Sequence, residues 1–300
     1  MTWSGEYTQT RCERRVLASD GTGLSVTQWR GRQVDNTVVF LHGLCLNSST
    51  WSDQIASTLA GFGPRTQVIA YDHRGHGDSD SASVSSYTVD RLASDLDDVL
   101  ATLKVRGPVT LVGHSLGGMT ALTYLSQPRR TEISGLVLVA TTAGNLTSSG
   151  AGRLLTIPGI DLLASSFDRI PDVAARGFAL PLCTLLRRLG SGASRRATLM
   201  ATAAHALATS SPRTAAGFLP TLRDFDVTES LAHIEARTTI LGGEFDALTP
   251  IEHSELLAQR IAGSTFHRLR CAGHMLPQLE PDTVAGAIAD VAGLQEFAAA

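Results

Sequence analysis

Gly113-His114-Ser115-Leu116-Gly117 places a serine between two glycines at two-residue spacing. A serine hydroxyl is a weak nucleophile near neutrality, so this pattern carries chemistry only if a base takes the proton and a carboxylate holds that base in one tautomer. The five residues alone say little. Their context says more: they follow the β-branched run Val109 to Val112 directly and precede a helical stretch, Met119 to Ser126. A serine on a sharp strand-to-helix turn has a strained backbone, and glycines on either side leave room for the strand and helix to approach. Such a turn sets the Ser115 hydroxyl at the carboxyl end of a sheet and beside a helix N-terminus. The plain alternative is an ordinary glycine-rich turn. A second group, Asp72, His73, His76 and Asp78, has ligand-type side chains, but no distant partner ligands accompany it and no metal is expected. The four cysteines (Cys12, Cys45, Cys183 and Cys271) are far apart with no CxxC, which suits free thiols in a reducing cytoplasm.

The elements that would position Ser115 can be read from apolar patterning. Val38 to Leu41, Gln67 to Tyr71, Val109 to Val112 and Leu136 to Val139 are uninterrupted runs of the kind found in parallel strands covered on both faces. Between them, Thr50 to Leu59 and Thr88 to Leu103 have helical spacing. The second puts Leu92, Leu96, Val99, Leu100 and Leu103 on one face, with Asp95, Asp97 and Asp98 elsewhere. This is an α/β pattern of strand–helix–strand units. Arg15 to Ser19 and Leu24 to Trp29 flank the turn Asp20-Gly21-Thr22-Gly23 and predict a leading antiparallel hairpin. From Gly144 to Asp224 the pattern is helical and broken by prolines. Strands resume at Thr238 to Leu241 and Phe266 to Leu269, with helices over Glu252 to Ile261 and Pro281 to Phe297. The 98 residues between Val139 and Thr238 far exceed the dozen or so of one crossover, so a second substructure is inserted there. The expected organisation is a core over residues 1–144, a helical cap over 145–224, and the rest of the core over 225–300.

With these elements in order, the chain resembles the α/β-hydrolase superfamily, in its serine esterase and lipase-like branch. His42-Gly43 resembles the family's oxyanion-loop signature, and Asp72-His73-Arg74-Gly75-His76-Gly77-Asp78-Ser79 its D-x-R-G-x-G-x-S turn. Gly113 to Gly118 resembles its nucleophile elbow. Gly243-Glu244-Phe245-Asp246 and Gly273-His274-Met275 resemble the loops that carry the acid and the histidine. The resemblance spans roughly 15–145 and 225–297. It implies an α/β-hydrolase fold, a mostly parallel sheet flanked by helices, with Ser115, Asp246 and His274 as a catalytic triad in the chain order expected of that fold. The oxyanion donors it implies are the backbone N–H groups of Leu44 and Leu116. Cys45 departs from the proline or glycine of many relatives.

The rivals for each role are weaker. Glu244 lies two residues before Asp246, and after the Leu136 to Val139 strand only Thr141, Thr142 and Asn145 are near, none of them acids. His205, His233 and His253 lie on helical patterns and read as surface or capping residues, whereas His42 and His114 would orient loops. An aspartate-nucleophile hydrolase is disfavoured by Ser115. Thioesters, carbon–carbon bonds and haloperoxidase-type perhydrolysis all suit the same triad, and a non-catalytic binding protein of this fold is the alternative from another class. No cofactor is implied.

Composition bounds the partners. With 25 basic and 28 acidic residues the net charge is −3, which argues against general nucleic-acid binding. No apolar run reaches membrane-span length, and the charged first fifteen residues lack a signal-peptide core. A cytoplasmic enzyme of a small-molecule ester is expected. Lys104 is the only lysine, which fits a GC-rich bacterial coding bias. From Gly150 to Ala215 eight arginines face three aspartates, interleaved with leucines. This reads as a solvated outer face over an apolar inner one, or as a lid that also attracts an anionic group.

Overall fold

A computed structural model of the protein describes residues 9–156 and 211–293. Eight strands form one sheet in the order β1-β2-β4-β3-β5-β6-β7-β8. They are β1 (Thr10–Leu17), β2 (Gly23–Arg30), β3 (Asn36–Leu41), β4 (Thr66–Tyr71), β5 (Val109–His114), β6 (Ile133–Val139), β7 (Arg237–Gly243) and β8 (Thr265–Leu269). The expected hairpin is present: β1 pairs antiparallel with β2, and β2 antiparallel with β4. From β4 onward every pairing is parallel. The helices are α1 (Ser52–Phe62), α2 (Val89–Thr102), α3 (Leu116–Ser126), α4 (Pro212–Asp224), α5 (Ile251–Arg260), α6 (Leu276–Leu279) and α7 (Pro281–Ala292). The last expected helix stops at Ala292, where Gly293 turns left-handed at φ 64°. Residues 294–297 of that expectation lie outside the described residues.

The continuous apolar runs are buried on both faces because side chains alternate across the sheet. Val39 and Leu41 of β3 join a core with Leu96 and Val99 of α2, Leu122 of α3 and Leu257 of α5. Val38 and Phe40 point the other way, into a core with Ile55 of α1 and Val284 and Ile288 of α7. The sheet is thus sandwiched between two helical layers, and its parallel strands deliver their carboxyl ends to one edge.

One expectation about α2 is corrected. Asp95, expected away from the apolar face with Asp97 and Asp98, is fully buried. Its carboxylate takes both Nε and Nη2 of Arg74 at 2.7 Å, while Arg74 Nη1 reaches Asp20 at 2.8 Å. The Arg74 and Asp95 side chains have no exposed surface. The fork-to-carboxylate geometry makes two parallel charge-assisted bonds, which offset the cost of burying both ions. The pair ties α2 to the turn after β4. In that turn Asp72 Oδ1 accepts Ser48 N–H at 2.7 Å and Oδ2 accepts Asp78 N–H at 2.9 Å, so the Asp72 carboxylate serves as a loop tie.

Of the expected cap, residues 145–156 and 211–224 are described, and 157–210, His205 among them, lie outside the described residues. The described ends are brought together by a bridge between Gly144 and Asp226, with Val227 N–H donating to Ala143 O at 2.7 Å. No helix among the described residues is long and apolar enough to cross a membrane.

Candidate active site

Ser115 sits between β5 and α3 with φ 52° and ψ −116°, a conformation costly for a residue with a side chain, of order 1–3 kcal/mol. Its surroundings over-determine it. Ser115 N–H donates to Val139 O at 3.0 Å, and Ser115 O accepts Thr141 Oγ1 at 2.7 Å and the N–H groups of Gly118 and Met119. The flanking glycines are required by packing. A Cβ at Gly113 would come within 2.6 Å of Gly117 O, and one at Gly117 would collide with the Leu41 carbonyl.

The acid and histidine loops leave the carboxyl ends of β7 and β8 and are stitched to each other. Glu244 N–H donates to Leu269 O at 3.0 Å and Phe245 N–H to Ala272 O at 2.9 Å. This brings Asp246 Oδ2 to 2.8 Å from His274 Nδ1, both side chains being buried. The carboxylate also accepts the N–H groups of Leu248 (2.8 Å) and Thr249 (3.0 Å) and the Thr249 hydroxyl (2.8 Å). Burial opposes its ionisation, but the adjacent His274 ring and the Thr249 donors outweigh that and hold the carboxyl below its usual range. With Nδ1 donating to the carboxylate, the basic nitrogen of His274 is Nε2. The rival acid Glu244 instead pairs with Arg268 at 3.5 Å.

Ser115 and His274 line one cavity of about 280 Å³, together with Leu44 and Leu116. Its other walls are mostly apolar. Leu146 and Leu155 come from the start of the insertion, Leu219 and Leu222 from α4, and Leu248 from the acid loop. Two stretches of the expected substrate-binding segment, 145–156 and 211–224, therefore reach the cavity.

Two loop-orienting histidines are where the sequence put them. His114 Nε2 lies 2.9 Å from His274 O and His42 Nδ1 2.8 Å from Gly43 O. Burial pushes His114 down to about 3 and His42 to about 4, so both are neutral. His233 is exposed, but His253 departs from the expectation of a surface or capping residue. It is buried, bonded to Thr142 Oγ1 at 2.8 Å and Ser149 Oγ at 3.1 Å, and it braces the start of the insertion against α5. Sequence reasoning missed Thr249. The signal was available: a threonine three residues after an aspartate can bond back to its carboxylate with both N–H and hydroxyl. The departure at Cys45 is accommodated by a left-handed backbone, φ 61°.

The sequence matches the profile of the alpha/beta hydrolase fold over residues 36–281. A non-heme chloroperoxidase of Kitasatospora aureofaciens is 37% identical over 123 residues, which is 40% of this chain and 41% of that protein. The match thus spans about two-fifths of that relative's length. A 3-oxoadipate enol-lactonase of Acinetobacter baylyi is 27% identical over 253 residues, 84% of this chain and 86% of the relative. Among solved structures, an esterase from Exiguobacterium antarcticum superposes with a TM-score of 0.70 at 23% identity, covering 94% of this chain and 100% of that one. That likeness is one of fold.

Proposed function

The chain belongs to the alpha/beta hydrolase fold family, and on that premise we propose that it is a serine hydrolase of carboxylic esters acting through an acyl-enzyme. The observation that carries the reading is the buried His274–Asp246 pair, 2.8 Å apart, at a cavity that also receives Ser115 from its strained turn. Ser115 Oγ attacks the substrate carbonyl while His274 Nε2 takes its proton. Asp246 holds the ring through Nδ1 and stabilises the imidazolium. The N–H groups of Leu44 and Leu116 receive the developing oxyanion, the second with the positive end of α3 behind it. As the tetrahedral adduct collapses, His274 returns the proton to the leaving alcohol. A water activated by the same nitrogen then releases the acid.

Ester chemistry is supported by the lactonase relative, whose match covers most of both chains. The apolar walls of the cavity suit a small to medium neutral acyl group. The reading is tested with p-nitrophenyl esters of increasing chain length, run beside an acyl-thioester and a carbon–carbon substrate. Turnover of the oxygen esters should dominate, and Ser115→Ala should lower it by several orders of magnitude in a folded protein. Near-normal turnover by Ser115→Ala would refute the reading.

A further inference from the structure

The turn from Gly43 to Leu46 carries the Leu44 N–H, and buried histidines grip that turn from two sides. Gly43 O accepts Leu46 N–H at 3.2 Å and faces His42 Nδ1 at 2.8 Å. A carbonyl only accepts, so His42 bears its proton on Nδ1. Its other nitrogen, Nε2, is a bare lone pair that accepts His73 N–H at 2.9 Å. In a trans peptide the C=O and N–H point to opposite edges, so pinning Gly43 O fixes the direction of Leu44 N–H.

The next peptide is held independently. Cys45 N–H donates to His76 Nε2 at 3.1 Å, and His76 Nδ1 lies 3.0 Å from Arg74 O, which fixes that ring's tautomer as well. Cys45 occupies the small left-handed region at φ 61°, where the backbone depends on its bonded partners to stay. The His42 ring packs against His73 and His76, at centroid distances of 4.4 and 5.2 Å. Burial holds all three neutral, His76 at about 3, so the bare nitrogens remain acceptors across the working pH range.

We propose that His76 is a positioning residue of the oxyanion hole: by accepting the Cys45 N–H, while His42 grips Gly43 O, it aims the Leu44 N–H at the carbonyl oxygen of the substrate. The proposal rests on the serine-hydrolase reading above. His76 acts only through the backbone of the turn, so its loss should affect the transition state more than substrate binding.

The experiment compares a carboxylic ester with its thionoester, in which C=S replaces C=O, for the unaltered chain, His76→Phe and His76→Gln. Sulfur accepts hydrogen bonds weakly, so the oxo-to-thiono ratio of kcat/KM reports the hole and does not depend on how much protein is folded. Phosphonate titration counts active sites. Removing an oxyanion donor costs about 10²–10³ in kcat, and a donor left misaimed should cost roughly 10–100-fold. His76→Phe should show that fall in kcat with KM within about threefold and a shrunken oxo-to-thiono ratio. His76→Gln, whose Oε1 can replace Nε2 as acceptor, should restore most of both. His76→Asn, too short to reach Cys45, gives the same loss where the phenylalanine variant does not fold. An unchanged ratio in the Phe and Asn variants, or a Gln variant as impaired as they are, overturns the inference. A Ser115→Ala control that keeps its activity would instead overturn the serine-hydrolase reading.

Discussion

Asp246 collects four hydrogen bonds, from Leu248 N–H, Thr249 N–H, the Thr249 hydroxyl and His274, and this set decides what each substitution should do. Asp246→Asn keeps the shape but removes the charge that favours the imidazolium, and kcat should fall by roughly 10⁴. Glu244→Gln should be nearly silent, because that side chain is partly exposed and turned to Arg268. Steady-state kinetics on one ester check both, and a larger loss at Glu244 would reassign the acid. Thr249→Val removes one donor from a buried carboxylate, and kcat should fall roughly tenfold as Asp246 is held less firmly. Wild-type kcat in that variant would reduce Thr249 to a packing role. Ser115, Asp246 and His274 could be proposed as a triad because each sits at a turn with a recognisable run of neighbours. Thr249 was legible too, since it bonds an aspartate only three residues earlier, but the buried position of His253 was not, because its partner Thr142 is 111 residues away in the chain and meets it only in the fold.

The strands were legible because a buried parallel strand must be apolar on both faces, and Val38 to Leu41 or Leu136 to Val139 allow little else. The hairpin was legible from its glycine turn. Asp95 was not, because a carboxylate on a helix reads as solvated until its partner is known, and Arg74 lies 21 residues earlier on another element. That pair makes a prediction about how α2 is attached. Arg74→Met leaves Asp95 buried with only Arg91 to pair it, and should destabilise the fold by about 3–5 kcal/mol, as breaking buried ion pairs does. The double variant Arg74→Met, Asp95→Leu should recover much of that loss, since no lone charge is left. Urea denaturation measures both. A double variant as unstable as the single one would mean that the ion pair itself, and not the stranded charge, carries the energy.

For the molecule as a whole, His42, His76 and His114 are buried neutral, at about 4, 3 and 3, whereas in the unfolded chain each titrates near its ordinary value of about 6.5. Between those values the unfolded state binds more protons than the native state. Stability should therefore be complete above about pH 6.5 and fall as pH drops toward 4, by on the order of 1.4 kcal/mol per histidine per pH unit. Urea midpoints at pH 7.5 and 5.0 test this, and His76→Gln should flatten the slope. A midpoint that does not move would mean these rings are already charged in the fold. The apolar cavity makes a separate prediction: kcat/KM should rise from acetyl to medium-chain esters, by up to about 0.8 kcal/mol per buried methylene, and then level off. A flat profile would mean the cavity does not hold the acyl chain. The central claim is that Ser115 is a nucleophile activated by His274. It is tested most directly by treating the protein with a fluorophosphonate and locating the adduct by peptide mass spectrometry. One phosphonyl group should be found on Ser115, and its formation should slow by several orders of magnitude in His274→Gln. An adduct on any other serine, or labelling of Ser115 at an unchanged rate without His274, would contradict the account.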